Sequence, residues 1–565
     1  MSYAVMTSNS RRRFLQTIGA AGAVGTAALA GCFGVDDDED DVEVGDEVPE
    51  LQFVFPTSGS NPDRNELGGF ISENLEELGF EVDRQELDFD PQIQQATVDL
   101  DFGLNLSGWG GTPERIDPGI FLYDMHHSSN TGEGGRNGAG YENPDYDEIA
   151  EAIMAETDQE ARRELVMEAQ EWLAMDQSRC YIANEGGVHP YNAERLESVN
   201  PGLGEGLNGF WNFMEAEPAD DVDQVTFGYS SDIFSLNPMQ DLTTPDRQFI
   251  RLLYDPLYRF DEGGIPTPWL AVDEPDVSDD GTTFTVEIRE GHTFHDGEEV
   301  TTEDVKFSYE LFAEYSPTYA TYLSGVEDIE TDGNEIIFQL EEPDATFASN
   351  ALGQIYVFPM HIWEDIDDPV NEDDEDYIGS GPFQFDDWER EVEMQLSRFD
   401  DHFEPPNIER LIRVPGDEDA LVDNIESYEI DMLGVNPTTT QIDRLEDDEN
   451  IGMAQFDAVG HAFMNYNMRR DHYKDVQLRR AISHCVPKTE FVEEIRGGQG
   501  SVTHSPIAPA IEEWHNPDVD EFDGDLDAAR ETLEDAGYVW DSDGRIHYPP
   551  DWDDDDVQMF LSVDG

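Results

Sequence analysis

The chain's 565 residues exceed what one domain of ~100–200 residues holds, so several domains with sizeable cores are expected. With 130 Asp+Glu against 30 Lys+Arg, the net charge of -100 excludes a nucleic-acid binder, which needs clustered cations to displace phosphate counterions. An aromatic content of 11% excludes an acidic disordered chain. Acid runs at 36–42, 364–376, 417–431 and 551–556 are spread along the chain, against the alternative of one acidic tail on a neutral domain. Such self-repulsion destabilises a compact state unless molar salt shrinks the Debye length to ~3 Å. The composition predicts a carboxylate-covered globular protein of a highly saline environment.

The first 32 residues read as an address. Arg11, Arg12 and Arg13 precede a weakly apolar, Ala- and Gly-rich stretch that runs uncharged to Phe33, the pattern of a twin-arginine export signal. The stretch ends L-A-G-C at 29–32, as in a lipobox, which makes Cys32 the lipidation site. A retained membrane helix is the alternative, since the length just suffices. Residues 33–50, with DDDEDDVEVGDE, read as an acidic tether. Cys180 and Cys485 remain either as a pair or as two separate buried thiols.

Along the folded part, 51–55 (LQFVF) reads as a strand, 65–78 as a helix with Leu67, Ile71, Leu75 and Leu78 on one face, and 81–87 as a second strand. Residues 102–109 lead into a Gly-rich loop, and 145–175 form a helix broken near Thr157, with Asp158 as the cap of its second piece. After a polar linker at 215–224, strands are expected at 225–229, 282–289 and 335–340, with Gly turns at Gly281 and Gly333. A helix at 302–312 starts with Thr302 as N-cap, 475–495 is helical with a break at Pro487, and 526–536 is a helix stopped by Gly537. The last strand is expected at 557–563 (VQMFLSV). The mixture predicts an α/β chain in at least two lobes.

From residue 225 the sequence resembles the peptide/nickel class (family 5) of solute-binding proteins that serve ABC importers. The resemblance rests on S-L-N-P at 235–238, L-Y-D-P-L at 253–257, P-W-L-A at 268–271 and V-S-D-D-G at 277–281. It continues through R-E-G-H-T-F-H-D-G at 289–297, T-E-D-V at 302–305, G-S-G-P-F at 379–383 and D-V-Q-L-R-R-A-I at 475–482. The family's usual ending is similar to the front of this chain: L-G-F-E-V at 78–82, G-W-G at 108–110 and Y-E-N-P-D-Y-D at 141–147. The order therefore resembles a circular permutation; a fusion of two gene fragments is the alternative. Strand-like segments at both termini (51–58 and 557–563) suit duplication followed by trimming.

The resemblance implies a two-lobed, periplasmic-binding-protein-like α/β fold with an inserted subdomain. Its parts are expected at 51–190 and 466–565 for the second lobe, 191–240 and 371–465 for the first, and 241–370 for the subdomain. It implies a monomer that closes over a peptide or small solute and hands it to ABC permease subunits, with no resident cofactor and no assigned metal ligands; a nickel or haem ligand is the alternative, since the class includes such binders. Gly108, Trp109 and Gly110 are the expected ligand loop; a core tryptophan beside a turn is the alternative. Where peptide-binding relatives place an Asp, this chain has Thr112, so Glu114 or Asp117 takes over, or no free amine is captured. Arg115 meets a ligand carboxylate or pairs with Glu114 or Asp117. Phe234, Ser235 and Asn237 on the facing lobe, and Asn465, Tyr466 and Asn467 near the lobe crossing, complete the expected pocket. Against a hydrolase, the sequence holds no HExxH, GxSxG or GxxxxGK[ST]. His126/His127 and His292/His295 are its close histidine pairs.

Overall fold

The computed structural model describes residues 45–565 apart from 112–115, 133–134, 231–232, 241–242, 373–375, 551, 553–556 and 562–565. The export signal, Cys32, most of the tether, Thr112, Glu114 and Arg115 lie outside the described residues. The chain opens with β1 (Leu51–Pro56), α1 (Pro62–Leu78) and β2 (Val82–Leu87), the two strands parallel. The helix starts three residues before its expected start. Pro62 needs no amide partner in a first turn, and the Asn61 side chain accepts from the Arg64 amide. It ends at Gly79, whose φ of 106° only glycine adopts without strain.

Two sheets organise the molecule. The first runs β2, β1, β3 (Leu104–Trp109), strand His461–Tyr466, β4 (Arg179–Asn184), strand Ser501–Val502, so it draws on both ends of the sequence. The second has seven strands in the order Phe383–Glu389, Glu393–Arg398, Arg410–Pro415, Val225–Tyr229, Met432–Leu433, β5 (Gly187–Asn192), Ile451–Phe456. Between Val225–Tyr229 and Phe383–Glu389 the chain makes a separate antiparallel sheet from Asp276–Val277, Thr283–Glu287, Glu335–Leu340 and Val326–Asp332, against helix Thr302–Tyr315. That helix is capped by Thr301, one residue earlier than expected: its hydroxyl oxygen accepts from the Asp304 amide, while Asp304 accepts from the Thr301 amide.

The backbone passes between the two large sheets twice among the described residues, from β4 to β5 and from Phe456 to His461. The passages are side by side, since Phe456 pairs with Gly187 and Ala462 with Ala183. One face of the first sheet (Leu104, Leu106, Cys180, Ile182, Met464, Tyr466) joins β1 and α1 in a core. The other faces a second cluster built on Phe121, Tyr141, Tyr146 and Trp172.

One open alternative is settled and one expectation is corrected. Cys180 and Cys485 are separate buried thiols, one on a strand and one past the helix Val476–His484. The described part of the expected last strand, 557–561, is not in a sheet, because β1 already fills the place between β2 and β3. It is held instead by the Val476 amide donating to the Gln558 carbonyl, Arg479 to the Met559 carbonyl, and the Leu561 amide to Asp176.

Candidate functional site

Trp109 ends β3, directly opposite His461, so the Gly-Trp-Gly loop lies beside one of the two passages between the sheets. A Cβ on Gly108 would come within 2.0 Å of the Arg64 guanidinium, and one on Gly111 within 2.0 Å of Val459. Gly111 is demanded by packing, since the Gly460 backbone nitrogen lies 2.2 Å from that Cβ as well, whereas at Gly108 the obstacle is the end of a flexible side chain and Gly110 faces open space. Trp109 is half-buried, with the Arg136 guanidinium 5.3 Å from its ring.

Just past this loop, Ile116 and Asp117 line two neighbouring chambers between the first-sheet lobe and the rest of the molecule. Ile116 faces a chamber walled by Leu203, Phe210, Arg247, Arg251 and Tyr356. Arg251 pairs with Glu205 at 2.8 Å, and both side chains are buried. Asp117 opens on the second chamber, of about 380 Å³, with Arg162, Asp344, Ser349 and Trp514; Phe260 lines both. Burial raises the Asp344 carboxyl, and the nearby Asp117 charge adds to that. Arginines in a chain so poor in cations were a legible signal for the first chamber, but their packing against Phe210 and Tyr356 from distant segments was not.

The expected pocket is not assembled as one site. Asp117 is engaged by the Arg162 guanidinium at 2.9 and 3.1 Å, the Gly119 amide at 2.8 Å and the Ser349 hydroxyl at 2.8 Å, which leaves little capacity for a ligand amine. Phe234, Ser235 and Asn237 line a different, polar pocket with Gln240, Tyr377 and Arg390, and no residue of the Gly-Trp-Gly loop is among its described walls. Asn237 spends its amide on the carbonyls of Pro369 and Glu372. Tyr466 points into the core, its hydroxyl meeting Ser483, and Asn467 donates to the carbonyls of Leu100 and Phe102. Both are structural. Asn465 lies on the buried face that carries Trp109, opposite Asn105.

Asp255, His292 and His402 form the one group of potential metal ligands among the described residues. Their chemistry is that of a hydrogen-bonded lock. Asp255 accepts from Trp269 Nε1 at 2.7 Å, Arg259 at 3.1 Å and His402 Nε2 at 3.2 Å, and His292 Nε2 donates to the Ser380 carbonyl at 3.0 Å. Arg259 supplies the positive charge that a metal would bring. Burial alone would raise the Asp255 carboxyl, but His402, His292 and Arg259 overturn this and hold it well below the usual carboxylate range. His295 is likewise committed, between the Gly381 carbonyl and the Gly379 amide.

A family model described as "Bacterial extracellular solute-binding proteins, family 5 Middle" matches residues 266–563. The chain belongs to this family. This family 5 chain is 28% identical over 288 residues to the oligopeptide-binding protein AppA of Bacillus subtilis, covering 47% of this chain and 52% of that protein. It is 24% identical over 315 residues to the dipeptide-binding protein of Escherichia coli, covering 50% and 58%. Haemophilus influenzae heme-binding protein A matches at 23% over 314 residues, covering 51% and 56%. The chain thus spans about half the length of the curated relatives it matches. Among solved structures, Campylobacter jejuni NikZ in complex with Ni(L-His) is similar at 22% identity and a TM-score of 0.44, covering 58% of this chain and 65% of that one. Family 5 proteins are solute-binding transport receptors and perform no chemistry on what they carry. No helix of the described residues is long and apolar enough to cross a membrane.

Proposed function

We propose that this family 5 protein is an extracytoplasmic receptor, anchored by lipid on Cys32, that captures an oligopeptide-like solute by lobe closure. It then delivers the solute to an ABC permease. The observation that carries this reading is the pair of adjacent passages joining two separate sheets. Two short neighbouring connections allow rotation of one lobe on the other with little change elsewhere. The chambers lined by Ile116 and Asp117 lie between the parts that such a rotation would bring together, and their aromatic and charged walls suit a peptide with polar ends. Trp109 and Gly110 remain ligand contacts on this reading. The peptide assignment draws on the relatives named for oligopeptides and dipeptides.

The same reading takes the chain as a functional circular permutant working as a monomer in high salt. A first sheet drawn from both ends of the sequence supports it, because a break at an exposed connection preserves every packing contact. A thermal-shift series of the protein lacking residues 1–32, in multimolar KCl, tests the ligand class with peptides, oligosaccharides and divalent metals. Peptide at ~100 times its dissociation constant adds about 2.7 kcal/mol. A shift with sugars or metals alone would replace the peptide assignment.

A further inference from the structure

The buried face of the first sheet that carries Trp109 also carries Arg179, Tyr181, His461, Phe463 and Asn465. Arg179 is 3% exposed, its guanidinium 4.3 Å from the Phe463 ring centre and 6.0 Å from that of Tyr181. Its hydrogen-bond acceptors are neutral and few: the Tyr181 hydroxyl, the Met125 sulfur at 3.5 Å and the Arg136 carbonyl at 3.4 Å, with nothing at Nε. No carboxylate pairs with it among the described residues. The buried arginines 162, 251 and 259 each have one, and Arg479, which has none, is saturated instead by the carbonyls of Asp176, Gln177, Tyr473, Lys474 and Met559.

The groups around Tyr181 repeat the pattern. His126 Nε2 lies 2.6 Å from the Tyr181 hydroxyl, and its Nδ1 has no partner. His461, 1% exposed, has its ring centre 4.8 Å from that of Tyr181, and neither of its nitrogens has a hydrogen-bond partner. The Asn465 amide oxygen is also orphaned, and a half-turn of that amide makes it a donor. Burial lowers the Arg179 pKa, opposed only by Tyr181, as follows for a charge without a counter-ion. Water satisfies orphaned N–H groups, but it does not neutralise a buried guanidinium.

We propose that Arg179, His126 and His461 form an internal site for a small monovalent anion, a halide or a carboxylate, behind Trp109. The anion comes from the solvent or, on the function proposed above, from the carboxylate of the captured solute. Only the second source depends on that function.

Crystals of the protein soaked in potassium bromide, with potassium gluconate as control, read the site directly by bromine anomalous scattering. The expected result is a bromide within hydrogen-bond distance of Arg179. The melting temperature should also rise on exchanging gluconate for bromide at equal potassium, by less in Arg179→Met and His461→Phe. Bromide displaced by acetate assigns the site to carboxylates as well and supports a solute's carboxylate as occupant. No bromide or carboxylate density beside Arg179, with equal salt effects in wild type and both variants, would overturn the proposal and leave a water-filled cluster. Should Arg179→Met fail to fold, the anomalous signal in the wild type still decides.

Discussion

At the scale of single residues, the buried Arg162, Arg251 and Arg259 are each committed to a carboxylate, and Arg179 is not. Arg162 is spent on Asp117, and Asp117 in turn accepts from Ser349, which belongs to the segment that follows the four-stranded sheet. That hydroxyl ties the first-sheet lobe to the subdomain without facing open solvent. Ser349→Ala is expected to weaken solute binding by about 1.5 kcal/mol, roughly tenfold, as for a lost hydrogen bond to a charge, if the contact exists only in the closed form. Titration calorimetry checks this; unchanged affinity would mean that the contact persists in both forms. Asp255→Asn should destabilise the fold by about 3–5 kcal/mol, because it leaves Arg259 buried without its counter-charge. A denaturant midpoint that does not move would contradict the lock. Of the expected site residues, the Gly-Trp-Gly loop stands out in the sequence because a tryptophan between glycines at a strand end is locally distinctive; its ligand role belongs to the proposal. The internal partners of Asp117, Tyr466 and Asn467 (Arg162, Ser483 and the carbonyls of Leu100 and Phe102) left no signal in the sequence, because they lie far away in it or in another element.

At the scale of elements, caps and alternation explain most of what was legible. The helix pair Pro144–Ala155 and Gln159–Asp176 breaks where Asp158 caps the second piece, and its side chain accepts from the Ala161 amide. Thr301 and Thr302 both suit an N-cap, and sequence cannot separate them. The structure does, because Thr302 donates its hydroxyl to the Gly333 carbonyl. Thr301→Ala should therefore cost about 1 kcal/mol of stability, read from chemical denaturation; no loss would contradict the capping box. The terminal segment VQMFLSV alternates like a strand, yet strand formation needs a free edge at the right place. None is open there, since β1 pairs on both sides, with β2 and β3.

For the whole molecule, charge and topology set the conditions of stability. A net charge of -100 predicts a melting temperature that climbs from dilute buffer to molar KCl, as screening removes self-repulsion. A flat salt profile would contradict the halophilic reading. Burial lowers His189 to about 3 and His295 to about 4, so the unfolded chain takes up protons that the folded chain refuses. Their contribution is fully present above the ordinary histidine pKa of ~6.5 and is lost as pH falls below it, at about 1.4 kcal/mol per unit for each group. Denaturant midpoints at about pH 7 and about pH 5 should differ by less in His189→Gln than in the wild type. The α/β class was legible from local patterns. The union of the chain's two ends in one sheet was legible only through motif order, because strand pairing across about 350 residues leaves no local signal.

The measurement that tests the central claim most directly is small-angle X-ray scattering of the protein in molar KCl, with and without saturating short peptides. A receptor that closes its two sheets around a solute shows a smaller radius of gyration with peptide bound, together with the thermal shift. An unchanged radius at a peptide concentration that does shift the melt would contradict closure as the mechanism.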